Sequence, residues 1–97
     1  MFSAADEKRV LDMVPKGIYI NGEWKDAADK KTLDVIDPAT GKVLVSIADA
    51  APEDGMAAID AAHNAQAAWA KTAPRERAEI LRAAFEKVTA MADDFAL

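Results

Sequence analysis

The spacing of apolar residues changes character along the chain. Val10, Leu11 and Val14 recur at helical spacing in a stretch free of Gly and Pro, and Pro15 and Gly17 close it. This predicts a short helix over residues 4–13, or a frayed N-terminal arm. Ile18-Tyr19-Ile20 and Glu23-Trp24-Lys25 flank Asn21-Gly22. Asn-Gly suits a two-residue type I′ turn because both of its central residues need positive φ, so residues 18–26 read as a tight hairpin. A polar connection, residues 27–32, leads to the apolar run Leu33–Ile36. Val43, Val45 and Ile47 then alternate with Leu44 and Ser46, the period of a strand. A second hairpin over residues 33–48 follows, turning through Asp37-Pro38-Ala39-Thr40-Gly41, where Pro fixes φ early and Gly takes the left-handed position at the end.

At Pro52 the period becomes helical. Pro at a first helical position, followed by Glu53 and Asp54, suits the positive end of a helix dipole. The helix should run to Trp69 or Ala70, with Ile59, Ala62, Gln66 and Trp69 on one face. Pro74 restarts the pattern. Leu81, Ala84, Phe85, Val88, Met91, Ala92 and Phe95 then keep helical spacing without a break. Arg82 and Glu86 lie one turn apart as an ion pair. No Gly, Asn or Pro stops this helix, and Asp93-Asp94 put negative charge where a C-terminus favours positive. The pattern therefore predicts a helix that is cut at Leu97 rather than finished.

The chain has 97 residues, of which 52% are hydrophobic, but Ala dominates that set and aromatics are only 6%. Small apolar side chains bury little area each, so the expected core is modest and independent stability doubtful. A net charge of −5 argues against nucleic-acid binding and against an anionic membrane surface. No stretch approaches the ~20 apolar residues of a membrane span. Asp6-Glu7-Lys8-Arg9 interrupts any leader-like apolar segment, and the expected location is the cytoplasm.

Chemistry is sparse. There is no cysteine, so disulfides, thiolate metal sites and a cysteine nucleophile are absent from these residues. His63 is the only histidine; Asp60 lies three residues before it and Ala67 four after, which makes a structural or surface role the expectation. Ser3 and Ser46 lack a Gly-x-Ser-x-Gly frame. The four glycines, at 17, 22, 41 and 55, form no phosphate-binding loop. Glu53-Asp54 and Asp93-Asp94 are adjacent, so each pair diverges on its helix and reads as a solvated face. Trp24 and Trp69 read as packing residues, and Arg75, Arg77 and Arg82, interleaved with Glu76, Glu79 and Glu86, as a solvated charged face.

Taken in order, Ile20-Asn21-Gly22-Glu23-Trp24, Ile36-Asp37-Pro38-Ala39-Thr40-Gly41, Ala57-Ala58-Ile59-Asp60-Ala61-Ala62 and Trp69 followed by Pro74–Leu81 resemble the N-terminal part of the NAD(P)-dependent aldehyde dehydrogenase superfamily. Leu11–Trp24 and Arg75–Leu81 look most like its succinate-semialdehyde dehydrogenases. The resemblance implies an α/β protein, α+β within these residues: β-hairpins followed by two amphipathic helices. The chain then divides into an N-terminal arm over 1–16, ahead of the resemblance, a hairpin segment over 17–48 and what the resemblance implies is a two-helix part of the cofactor-binding domain over 49–97, truncated at 97. It further implies a much longer chain that uses NAD or NADP, assembles as a homodimer or homotetramer, and oxidises an aldehyde, here succinate semialdehyde, through a cysteine thiolate. None of the catalytic, cofactor-binding or metal residues of such an enzyme maps onto residues 1–97. The alternative is a catalytically inactive, truncated module that is structural or binds a partner.

Overall fold

The structure, a computed structural model, describes residues 2–97. Helix α1 spans Ala4–Met13 and is anchored rather than frayed. Ser3 caps it: the Asp6 amide donates to Ser3 Oγ (3.1 Å) and the Ser3 amide donates to Asp6 Oδ2 (3.0 Å). This reciprocal arrangement satisfies two N–H groups that a helix start would otherwise leave unpaired. At the other end the Lys16 ammonium reaches back to the Leu11 carbonyl.

β1 (Ile18–Ile20) and β2 (Glu23–Lys25) pair antiparallel, with Tyr19 opposite Trp24. Asn21 (φ 53°) and Gly22 (φ 79°) both take positive φ, as a type I′ turn demands. Gly17 matters for a different reason. A Cβ there would lie 2.6 Å from the Lys25 carbonyl oxygen, so only glycine lets the chain enter β1 beside the end of β2.

β3 (Thr32–Ile36) and β4 (Val43–Ala48) form the second antiparallel pair. Their turn is organised by Asp37. Its carboxylate accepts from the Ala39 amide (2.9 Å) and the Thr40 hydroxyl (2.8 Å), and Gly41 closes the turn at φ 70°. The strand alternation is corrected by a bulge. Val35 faces Val45 but Ile36 faces Val43, which leaves Leu44 as the extra residue. Leu44 and Val45 therefore both become half-buried against α1 while Val43 stays exposed, and Val43, Val45 and Ile47 do not form one continuous face. The second hairpin meets the segment leading into the first through one backbone bond, Ala48 N–H to Lys16 O (2.8 Å), while Asp49 N–H to Lys31 O (2.9 Å) extends the β3–β4 ladder itself.

α2 (Pro52–Lys71) packs against β1. The side it covers is Asp54, Ala57 and Ala61, whose small side chains let the strand come close; the face carrying Ile59 and Trp69 points away. α3 (Pro74–Ala90) stops one residue short of Met91, and α4 (Ala92–Ala96) follows. The unbroken helix expected over this region is thus interrupted. Met91 leaves helical geometry (φ −107°, ψ 21°) while its N–H still reaches the Lys87 and Val88 carbonyls, and its own carbonyl accepts from Phe95 (3.0 Å). The apolar period carries through the interruption because only one residue departs from helical geometry.

Little of the molecule is interior. Among the described residues Ile20 and Ala27 are the buried apolar side chains and Asp54 the buried charged one. The radius of gyration is 17.1 Å, against about 13 Å for a compact domain of this length.

Candidate functional site

Asp54 shows how this small interior is built. It sits in the first turn of α2 and reaches the loop after β2. Both carboxylate oxygens accept from the Ala28 amide (3.2 and 3.0 Å), and Oδ2 also accepts from the Ala51 amide (2.8 Å). The bond to Ala51 serves a helix N-terminus whose N-cap residue, an alanine, has no side-chain acceptor. The Ala28 and Ala51 amides hold the Asp54 carboxyl below the usual carboxylate range. Sequence reading assigned Glu53-Asp54 to a solvated face. That holds for Glu53 and fails for Asp54, which is 6% exposed. The available signal was the acidic residue three positions after Ala51, half of a capping box.

Asp94 is the second carboxylate that departs from a solvated face. Arg9 donates to it twice, Nη2 to Oδ1 at 2.7 Å and Nη1 to Oδ2 at 3.3 Å, across 85 residues of sequence. That bidentate bond lowers the Asp94 pKa. Asp93 stays exposed.

The remaining singled-out residues do not converge. Ser3 is a helix cap, and Ser46 donates to Asp34 across β3 and β4. Trp24 lies against Tyr19, ring centroids 4.9 Å apart and planes tilted by 49°. Arg82 reaches Glu86 at 3.3 Å on an exposed face. His63 lines a shallow surface groove with Ile59, Ala62, Ala65, Gln66 and Trp69. Among the described residues no cluster of three His, Cys, Asp or Glu side chains could hold a metal ion.

Nor do these residues fit a dinucleotide. A pyrophosphate needs free backbone N–H groups at a helix start. The start of α2 is occupied by the Asp54 carboxylate, and α3 opens on Pro74 with Glu76 in its first turn.

What the helices do offer is uncovered apolar surface. On α2, Met56, Ile59 and Trp69 are exposed; on α3 and α4, Ile80, Leu81, Phe85, Val88 and Phe95 are, Leu81 at 73%. Elements with apolar faces of this kind are built to be covered. Among the described residues no helix is long and apolar enough to cross a membrane.

The fold is thus a pair of hairpins leading into helices that keep a large apolar face free, and comparison with known proteins says to which family such a segment belongs. The model of the aldehyde dehydrogenase family matches residues 24–97, and the chain belongs to that family. A succinate-semialdehyde dehydrogenase of Paenarthrobacter nicotinovorans is 58% identical over 55 residues, 57% of this chain and 12% of that protein. The NADP(+) succinate-semialdehyde dehydrogenase of Escherichia coli K12 is 43% identical over 77 residues, 79% of this chain and 16% of the relative. A glutarate-semialdehyde dehydrogenase of Pseudomonas putida is 40% identical over 78 residues, 80% and 16% respectively. The chain thus spans less than a fifth of the length of each of these relatives. No solved structure matches it.

Proposed function

We propose that this chain supplies the N-terminal scaffold of a cytoplasmic, NAD(P)-dependent aldehyde dehydrogenase that oxidises an aldehyde, succinate semialdehyde, to the carboxylic acid. Residues 1–16 form an arm, residues 17–48 the hairpin segment, and residues 49–97 two helices that buttress the cofactor-binding domain. The observation that carries this reading is the uncovered apolar face of α2 and α3 in a chain of this family. Thiolate, oxyanion donors, deacylating base and cofactor loop all come from residues beyond these 97, which hold no cysteine. The names of the P. nicotinovorans and E. coli relatives favour succinate semialdehyde, and that of the E. coli enzyme favours NADP. The complete enzyme works as a homodimer or homotetramer.

A chimera tests this. The matching segment of the E. coli enzyme is replaced by the corresponding residues of this chain, and NADPH formation from succinate semialdehyde is followed. Retained activity supports a scaffold role. A chimera that folds but stays inactive favours a module that only binds a partner. Aldehyde oxidation by the 97-residue chain alone would overturn the reading.

A further inference from the structure

We infer that α1 is a strap that holds the α3–α4 arm against the β3–β4 hairpin. Three observations place it there. First, on one side α1 faces β4: Ala4, Glu7, Lys8 and Leu11 line a common groove with Leu44 and Val45, the residues that the bulge turns inward. Second, on its other side Val10, Met13 and Val14 face Met91 and Phe95 across an open apolar groove of about 330 Å³, and Arg9 bridges that groove to Asp94. Third, α3 makes no broad contact with the hairpins, and its side chains from Ile80 to Val88 stay exposed. Where the arm does approach the β3–β4 hairpin, at Leu97 near Asp37 and Leu44, Glu7, Val10 and Leu11 of α1 line the same groove. An exposed ion pair by itself holds little. Here Asp94 is only 25% exposed, its geometry is bidentate, and apolar side chains flank the pair. The strap lies within residues 4–13, ahead of the family match at 24–97.

These 97 residues hold no cysteine, so in the 97-residue chain two introduced thiols can be labelled without a competing one. Lys42→Cys on the β3–β4 turn and Glu79→Cys on α3, both exposed, are spin-labelled in that chain, and the interlabel distance is read by pulsed electron resonance. The expected result is one narrow distance in the parent, lost in Arg9→Glu and in Val10→Asn, and regained when Arg9→Glu is combined with Asp94→Arg. Circular dichroism of each variant shows whether the helices persist, so that loss of the distance is separated from unfolding. A distance already broad in the parent, or narrow in both single variants, overturns the strap. Failure of the exchanged pair to restore it overturns the part played by Arg9 and Asp94.

Discussion

Gly17 and Asp54 both act on backbone groups, the Lys25 carbonyl for the one and the Ala28 and Ala51 amides for the other. At Gly17 the obstacle to substitution is the Lys25 backbone, which cannot swing aside as a side chain would. Gly17→Ala should therefore cost about 1–3 kcal/mol, the range for overpacking, read as a lowered denaturation midpoint and faster amide exchange in β1 and β2. At Asp54, Asn would keep the shape but turn one acceptor into an NH2 group facing the Ala28 or Ala51 N–H. Asp54→Asn should lower the thermal midpoint at neutral pH. It should also flatten the acid limb of the stability profile. Because the folded pKa of Asp54 is depressed, its contribution is fully present above the unfolded value of about 3.9 and is lost as pH falls through the lower folded value. Asp6, Asp12, Asp37 and Asp94 are depressed too, by hydrogen bonds from Ser3, Lys8, Ala39 with Thr40, and Arg9 respectively, so the parent should lose stability steadily in that window. Acid denaturation of parent and variant, compared from pH 7 downward, checks both statements.

At the scale of elements the turns were legible and the interruptions were not. Asn21-Gly22 and Asp37–Gly41 announce themselves because their residue types are the ones that tolerate the required φ. Gly41→Ala, which must hold a side chain at φ 70°, should destabilise the second hairpin by about 1 kcal/mol, seen as faster exchange in β3 and β4 with β1 and β2 unchanged. The Leu44 bulge and the Met91 interruption carry no such mark. A bulge changes which residues face inward without changing composition. A one-residue departure inside a helix leaves the apolar period almost intact. Lys30 (φ 59°), a left-handed lysine in the polar connection, was equally silent.

Across the whole molecule the accessible surface is 7,895 Å², roughly 2,500 Å² more than the roughly 5,400 Å² of a compact protein of this mass. That excess is interface-sized. The 97-residue chain by itself should bind an apolar fluorescent dye and self-associate. When the same residues are joined to the downstream portion of an aldehyde dehydrogenase, amides of α3 should become strongly protected from exchange. Protection confined to α2, with α3 still exchanging freely, would contradict the proposed buttress.

Most elements, both turn types and the family resemblance were readable in the sequence, because hydrophobic period, Gly, Pro and Asn-Gly act locally. Only the tertiary structure decided that Asp54 is buried, that Asp94 meets Arg9 across 85 residues, and that α2 covers its alanine side and leaves Ile59 and Trp69 open. Those outcomes depend on which distant backbone amide or guanidinium arrives beside a given residue. Local pattern says that a face is apolar or a carboxylate is present; what comes to lie against it is settled by chain segments far away in sequence.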